Sequence, residues 1–206
     1  MIIFTFLDRI DLYLVPEKDK VKEKALVRMG CMKKRIAIDM DEVIADFIPK
    51  HLSLYNQEYG EQITVNDLQG CTLESLRPEL EDIIKGYIKD PSFFRDLDVM
   101  KDSQSVIEEL NHSFEVYITT AAMEYPTSFT AKYEWLKEHF PFLNDLNFVF
   151  CGTKKIIRAD YLIDDNIKHF KTFEGQGLLY TAPHNIHETD YVRVNNWLEI
   201  RKYFLS

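Results

Sequence analysis

Two aspartates one residue apart, Asp39 and Asp41, directly follow the apolar run Arg35–Ile38. Carboxylates this close repel each other, and that cost is offset where a hard divalent cation such as Mg²⁺ binds them. A calcium loop is excluded, because it would need an oxygen ligand at Val43 and a glycine at Ile44. The remaining alternative, a solvated turn, is disfavoured directly after a buried strand. The pair therefore indicates a metal-dependent site.

Polar residues also close two other apolar runs. Thr119 and Thr120 end the run EVYITT, and Asp164 and Asp165 end YLIDD. Functional groups of a parallel sheet collect at the carboxyl ends of its strands. We therefore expect four carboxylates and two hydroxyls at one sheet edge, and such an all-oxygen carboxylate set suits Mg²⁺.

The elements that must position these groups alternate along the chain. Short runs rich in β-branched and aromatic residues predict five buried strands, namely RIAID, EVYIT, FVFCG, YLIDD and GLLYT. Helical spacing is found in SVIEELNHS and in PTSFTAKYEWLKEHF, where the predicted apolar stripe is Phe129, Tyr133, Leu136 and Phe140. Alternating strands and helices predict an α/β fold with a Rossmann-like parallel sheet.

The long interval between Asp41 and Thr120 departs from this alternation. Helical patterns dominate it, including HLSLYNQEYG and LRPELEDIIKGYIKD. A crossover between parallel strands needs far fewer residues. The interval therefore predicts a small helical cap, at about residues 50–100, inserted after the first strand.

Composition narrows the possible partners. The chain has 206 residues, of which 46% are hydrophobic, and a formal net charge of −9. This charge argues against a nucleic acid polymer as partner but leaves a small phosphorylated ligand possible. Three scattered cysteines, Cys31, Cys71 and Cys151, form no CxxC pair, which fits a cytoplasmic protein. The oligomeric state has no signature in the sequence.

The first 31 residues differ from the rest. MIIFTFLDRIDLYLV is apolar, but Asp8, Arg9 and Asp11 interrupt it well short of the roughly 20 apolar residues that a spanning helix needs. We expect no membrane segment and a peripheral extension at 1–31, followed by one domain at 32–206. The alternative is that MIIFTFL packs as an element of the fold.

Four segments resemble a known superfamily. DMDEV, the strand ending in Thr120, Lys132 in the following helix, and LIDD are similar to the four motifs of haloacid dehalogenase-like (HAD) phosphatases. Within that superfamily, the chain most resembles the 5′(3′)-deoxyribonucleotidases, from about Lys34 to near the C-terminus. The segments that carry this likeness are IDMDEVIADF, PSFFRDLD, KYEWLKEHF, YLIDDN and LLYTAPHN. The resemblance implies a HAD core and a magnesium-dependent phosphatase acting on deoxyribonucleoside 5′(3′)-monophosphates.

The resemblance also implies roles for the carboxylates. Asp39 would attack phosphorus to form an aspartyl-phosphate. Asp41 would act as general acid and then as general base, and its backbone carbonyl would reach the metal. Mg²⁺ would be held by Asp39 and Asp165 with Asp164 nearby, and spacing alone does not separate the last two.

The remaining implied roles concern the phosphoryl group and the base. Thr120, with Thr119 as competitor, would bind a phosphoryl oxygen, and Lys132 would neutralise the accumulating charge. Phe47 matches the family's pocket position, and Phe93 or Phe94 in the cap would complete the base site. One departure is Asn166, where some relatives carry arginine after the paired aspartates.

Other hypotheses on the function stay open at this point. The segment CGTKK has only a superficial likeness to a nucleotide-binding loop, and His184 and His187 are expected to be loop and surface residues. A HAD phosphatase for another small phosphomonoester, such as a sugar phosphate, is the main alternative. A non-catalytic phosphate-binding protein is disfavoured, because binding alone needs neither a nucleophile nor an acid. A dehalogenase would need neither Asp41 nor a metal.

Overall fold

The computed structural model of the chain describes residues 33–206. The expectations for residues 1–31, a peripheral extension without a membrane segment, lie outside the described residues. Within residues 33–206, every helix is too short or too polar to cross a bilayer.

In residues 33–206, six parallel strands form the central sheet, in the order β5-β4-β1-β6-β7-β8. A separate antiparallel pair is formed by β2 and β3. In chain order the strands are β1 (Arg35–Asp39), β2 (Ala45–Asp46), β3 (Asp98–Val99), β4 (Glu115–Thr120), β5 (Phe148–Phe150), β6 (Tyr161–Asp164), β7 (Gln176–Tyr180) and β8 (Val192–Val194). The five predicted strands and the α/β fold are confirmed, whereas β2, β3 and β8 were not predicted.

The middle strand β1 is buried on both faces, as expected of a central parallel strand. Ile36 and Ile38 belong to the larger apolar core, together with Trp135 and Trp197. Ala37 faces a smaller cluster on the other side of the sheet, which contains Leu162, Phe170 and Leu179. Burial on both faces explains why β1 reads as a continuous apolar run.

Within the described residues, six α-helices accompany the strands: α1 (Phe47–Tyr59), α2 (Leu73–Leu76), α3 (Glu81–Ile88), α4 (Ser103–Ser113), α5 (Phe129–His139) and α6 (Trp197–Leu205). Helices α1 to α3 lie between β2 and β3, in the interval where the cap was predicted. They share a second apolar cluster that includes Leu52, Tyr55, Leu73 and Ile84. This part of the chain therefore carries a small core of its own.

The buried face of helix α5 overlaps the predicted stripe only in part. Leu136 and Phe140 are buried as expected, but Tyr133 is 42% exposed and donates its hydroxyl to Asp145 at 2.9 Å. The buried face of the helix instead comprises Ala131, Lys132, Trp135 and Leu136. Residues four apart share a helix face, so anchoring by Trp135 and Leu136 turns the lysine four residues before Leu136 towards the core.

Candidate active site

Three carboxylates meet at the carboxyl edge of the sheet. Asp39 is the last residue of β1, Asp164 ends the neighbouring strand β6, and Asp165 follows it. One carboxylate oxygen from each lies within 4.8 Å of the others. Neighbouring parallel strands end at the same edge, so the chain folds into the arrangement that the strand-end pattern predicted.

A buried lysine, Lys154, lies among these carboxylates. It is 1% exposed, and its Nζ forms an ion pair with Asp39 Oδ1 and another with Asp164 Oδ2 at 2.6 Å. Burial lowers the pKa of Lys154, but the attraction of the two carboxylates outweighs burial, and the net pKa is raised. The lysine is therefore a permanent cation.

Lys154 was not predicted from the sequence, because its segment CGTKK has only a superficial likeness to a nucleotide-binding loop. The usable signal is positional. Lys154 begins a short turn, Lys154–Ile156, just after β5 and ten residues before Asp164. A lysine in that loop is at the same sheet edge as the predicted carboxylates.

The second buried lysine is the predicted Lys132, which is 2% exposed. Its Nζ forms an ion pair with Asp41 Oδ2 and donates to Thr120 Oγ1 at 3.0 Å. The same Nζ lies 4.1 Å from the ring centroid of Phe94. The structure thus brings Lys132, Asp41 and Thr120 together, with Phe94 beside them.

The two carboxylate oxygens of Asp41 have different surroundings. Oδ2 is paired with Lys132, whereas the buried Oδ1 has no hydrogen-bond partner among residues 33–206. Burial raises the pKa of this carboxyl, and the nearby Lys132 opposes the rise. A carboxyl with a raised pKa and a buried, unpaired oxygen is suited to holding a proton for transfer.

The two adjacent aspartates of β6 have different surroundings. Asp164 Oδ2 accepts from Lys154, and Asp164 Oδ1 accepts from the backbone N–H of Asn166 at 2.9 Å. Within residues 33–206, Asp165 forms no ion pair with a lysine or arginine; its Oδ2 lies 3.6 Å from His184 Nε2. Burial, followed by repulsion from Asp164 and Asp39, raises the pKa of Asp165 well above its ordinary value.

The site therefore fits a divalent cation. The negative charge that Lys154 leaves uncompensated is concentrated at Asp165 and Asp39, and carboxylate oxygens are hard ligands. A cation there would remove the repulsion that raises the pKa of Asp165. Asp164 already uses both oxygens, which makes Asp165 the freer ligand.

A cavity of about 360 Å³ opens from these charged groups. Asp39, Asp41, Lys132, Lys154 and Asp165 line it together with an apolar set that includes Phe47, Ile48, Leu52, Leu68, Leu73 and Phe94. Of the predicted pocket residues, Phe47 and Phe94 reach the cavity. The cavity thus combines groups that suit a phosphate with an apolar lining.

Phe93, Thr119 and Thr120 do not line the cavity. Phe93 is buried and supports the lining, with its ring centroid 5.2 Å from that of Phe47 and 5.1 Å from that of Phe94. The Thr119 hydroxyl donates to the Ile38 carbonyl at 3.4 Å. Successive residues of a strand point to opposite faces, which explains why Thr120 and not Thr119 meets Lys132.

Three histidines line the cavity that the sequence analysis did not assign to it: His51, His169 and His184. His51 is buried, its ring centroid lies 5.0 Å from that of Phe47, and its Nε2 bonds to the Ile84 carbonyl at 3.2 Å. His184 was expected to be a loop or surface residue; it is half-buried in the turn Pro183–Asn185. Burial lowers the pKa of all three imidazoles, which favours their neutral forms.

Glu42, directly after Asp41, caps the helix that carries Phe47. Its backbone has a left-handed φ of 60°, and its Oε1 accepts from the Ile48 N–H at 2.7 Å at the start of α1. Asp46, the residue just before α1, makes no side-chain hydrogen bond to the first turn of that helix. Burial raises the pKa of Glu42 from 4.5 to about 8. The carboxyl is therefore kept largely protonated near neutral pH.

We expect Glu42→Gln to become relatively more stable than the unsubstituted protein as the pH rises. A carboxyl whose pKa is higher in the folded than in the unfolded state loses stability as the pH increases from about 4.5 to about 8. The glutamine cannot ionise, yet it keeps an oxygen for the Ile48 N–H. Unfolding temperatures of both proteins, measured in EDTA from pH 5 to 9, check this. A difference that does not change with pH would contradict it.

The chain is similar to a family of nucleotidases. The family model described as "5' nucleotidase, deoxy (Pyrimidine), cytosolic type C protein" matches residues 33–206. A relative from Staphylococcus epidermidis, called a putative 5′(3′)-deoxyribonucleotidase, is 48% identical over 174 residues, covering 84% of this chain and 97% of its own length. A 5′(3′)-deoxyribonucleotidase from Bacillus subtilis is 40% identical over 174 residues, covering 84% of this chain and all of the relative.

Solved structures with a similar fold are more distant in sequence. A haloacid dehalogenase-like hydrolase from Streptococcus pneumoniae superposes with a TM-score of 0.58 at 16% identity, covering 84% of this chain and 98% of that one. The putative HAD-hydrolase YfnB from Bacillus subtilis, bound to magnesium, superposes with a TM-score of 0.56 at 15% identity, covering 85% and 100%. These matches show a shared fold.

Proposed function

The chain belongs to the 5′ nucleotidase, deoxy (pyrimidine), cytosolic type C protein family, and from this premise we propose that it hydrolyses deoxyribonucleoside 5′(3′)-monophosphates with Mg²⁺ through an aspartyl-phosphate on Asp39. As a member it is a phosphoric monoester hydrolase of the HAD superfamily with a small-molecule nucleotide substrate. The observation that carries the proposal is the cavity in which clustered carboxylates and two buried lysines meet an aromatic lining.

The proposed metal ligands are the carboxylates of Asp39 and Asp165 and the backbone carbonyl of Asp41. Asp164, whose oxygens are taken by Lys154 and the Asn166 N–H, would hold Lys154 in place rather than bind the metal. Bound Mg²⁺ would neutralise the carboxylates and so let a phosphate dianion approach them. The magnesium bound to the structurally similar YfnB supports this choice of ion.

The proposed reaction has two steps. Asp39 attacks phosphorus, the ester P–O bond breaks, and Asp41 donates a proton to the departing deoxyribose oxygen. Asp41 then removes a proton from the water that attacks the aspartyl-phosphate, and inorganic phosphate leaves. The raised pKa of Asp41 and its unpaired Oδ1 support the acid role. Lys132, Lys154 and the Thr120 hydroxyl would attract the phosphoryl oxygens.

The nucleoside would occupy the apolar part of the cavity. Phe47 and Phe94 line it, and Phe93 supports both rings, so we propose that the base stacks there while Thr119 plays no direct part. Helices α1 to α3, with the residues up to about 100, would act as the cap of a domain spanning 32–206. A cytoplasmic setting is also proposed, supported by the cytosolic type named in the family description.

Steady-state kinetics on dUMP, dTMP, UMP and a panel of sugar phosphates test this proposal, each with Mg²⁺ and with EDTA. We expect the deoxyribonucleotides to have the highest kcat/KM, with a modest loss on UMP and no turnover in EDTA. Stacking on an aromatic side chain is worth about 1–3 kcal/mol per base. Phe47→Ala should therefore lower kcat/KM for dUMP by roughly 10–100-fold and leave a generic aryl phosphate less affected.

Phe129→Ala is the matched control, because Phe129 is a half-buried ring on α5 that does not line the cavity. It should leave the kcat/KM for dUMP unchanged. A sugar phosphate as the better substrate, together with an unchanged dUMP value for Phe47→Ala, would favour the general phosphatase. Absence of turnover on every phosphomonoester would favour the non-catalytic phosphate-binding protein.

A further inference from the structure

The backbone of Asp165 is fastened by the turn Pro183–Asn185. The Asp165 carbonyl accepts from Asn185 Nδ2 at 2.7 Å and from His184 Nε2 at 3.2 Å. The N–H of the same peptide group, which belongs to Asn166, donates to Asp164 Oδ1 at 2.9 Å. The carbonyl and the N–H of the peptide bond between Asp165 and Asn166 are therefore both hydrogen-bonded.

Asn185 is itself fixed in one orientation. It is 2% exposed, and its Nδ2 also donates to the Tyr180 carbonyl at 2.8 Å, at the end of β7. Its Oδ1 accepts from Arg193 Nη1 at 2.9 Å and from the Ala182 N–H at 3.2 Å. Every polar atom of the amide is used, so rotating it would break several bonds at once.

Arg193, in strand β8, stabilises the turn Pro183–Asn185 through hydrogen bonds. Nη1 also donates to Thr181 Oγ1 at 3.0 Å, and Nη2 donates to the carbonyls of Asn185 at 2.8 Å and Glu188 at 2.5 Å. A planar guanidinium that fills several acceptors holds them in a fixed geometry. The strand that the sequence did not predict therefore contributes to the support of Asp165.

The hydrogen bonds from Asn185 and His184 act on Asp165, the carboxylate of the cluster that Lys154 does not hold. Lys154 pairs with Asp39 and Asp164, whereas Asp165 has no lysine or arginine ion pair within residues 33–206. The position of its carboxylate therefore depends on its own two side-chain torsions and on its backbone. A ligand whose backbone is fixed loses less freedom when a metal binds.

We propose that Asn185, braced by Arg193 and assisted by His184, is a positioning residue that sets the affinity of the metal site through the backbone of Asp165. The inference rests on the proposed assignment of Asp165 as a Mg²⁺ ligand. Residues around metal ligands typically contribute 10–100-fold to affinity or activity.

The test is Mg²⁺ binding to the full chain without substrate, measured by calorimetry and by the rise in unfolding temperature with Mg²⁺ concentration. Asn185→Ala should weaken the Kd for Mg²⁺ by about 10–100-fold. At saturating Mg²⁺, the KM for dUMP should stay near that of the unsubstituted protein. His184→Ala, which removes the longer of the two bonds to the carbonyl, should weaken the Kd less.

Asn56→Ala is the matched control, because Asn56 also bonds to backbone groups on both sides of its amide. Its Nδ2 donates to the Ile63 carbonyl at 2.8 Å, and its Oδ1 accepts from the Ile63 N–H at 2.9 Å. This variant should lower the unfolding temperature and leave the Kd for Mg²⁺ unchanged. A change of stability alone is thereby separated from a change at the metal site.

Unchanged Mg²⁺ affinity in both Asn185→Ala and His184→Ala would overturn the inference while leaving the proposed function intact. Were Asn185→Ala not to fold, His184→Ala alone would decide in the same way. Equal weakening in Asn56→Ala would also overturn it. A wild-type protein that binds no Mg²⁺, or an Asp165→Asn variant that binds it equally well, would instead remove the proposed metal site, and the inference with it.

Discussion

Asp39→Asn should abolish turnover of dUMP, with kcat falling by about 10⁴-fold or more. The amide keeps the size of the carboxylate and an oxygen for Lys154, but it cannot attack phosphorus to form an acyl-phosphate. Removing one carboxylate from a buried cluster relieves repulsion, so we expect the unfolding temperature to stay the same or rise. Steady-state kinetics at saturating Mg²⁺ and a thermal melt measure both quantities.

Asp160→Asn provides the control for this substitution. Asp160 lies just before β6 at the opposite edge of the sheet, where its Oδ2 accepts from the Arg35 N–H at 2.7 Å. The variant should retain full activity. Activity above about a tenth of the wild-type value in Asp39→Asn would contradict the nucleophile assignment, because a lost nucleophile costs orders of magnitude more.

Lys154→Met should be the most destabilising of the substitutions considered. The lysine is buried between Asp39 and Asp164, and methionine preserves most of its apolar stem while removing the charge. Removing one partner of a buried ion pair typically costs about 3–5 kcal/mol, because it leaves an uncompensated charge. The free energy of unfolding, from urea titration in EDTA near pH 7, should fall by about that amount. Activity should be lost as well.

The adjacent Lys155→Met is the matched control, since Lys155 is exposed and outside the cavity. It should change the free energy of unfolding by no more than about 0.5 kcal/mol, as is usual for surface positions. The loss in Lys154→Met should shrink as the pH falls, because protonated carboxylates no longer need the cation. A loss that is equal in both variants would show that Lys154 is not a counter-ion.

Much of the fold could be predicted from local patterns. Each central strand is buried on both faces, so it appears as a short apolar run, and the carboxyl-edge rule then placed Asp39 and Asp164 together. Strand β8 was not predicted, because Val192–Val194 is a three-residue edge strand with a central arginine. The predicted buried face of α5 was only partly correct, because the packing of Trp135, rather than the aromatic spacing, determines which face is buried.

The geometry of the candidate site could be predicted in part, mainly where residues end strands. Asp39, Asp41 and Asp165 needed only the strand ends and the family resemblance. Lys154 could not be ranked from sequence, because a lysine in a loop is usually solvated and only the fold shows that it is buried. The choice between Thr119 and Thr120 depends on which strand face meets α5, which needs the register of β4 with its neighbours.

The central claim is that Asp39 becomes phosphorylated during turnover. The direct measurement is an acid quench of Asp41→Asn after mixing with an aryl phosphate labelled in its phosphoryl group, followed by peptide mapping. The aryl leaving group departs without a proton from Asp41, so the first step does not depend on that residue. Without its acid–base group the enzyme should hydrolyse the intermediate slowly, and the label should be found on Asp39. An Asp41→Asn enzyme that still turns over the aryl phosphate but carries no phosphoryl group, or carries it on another residue, would contradict the account.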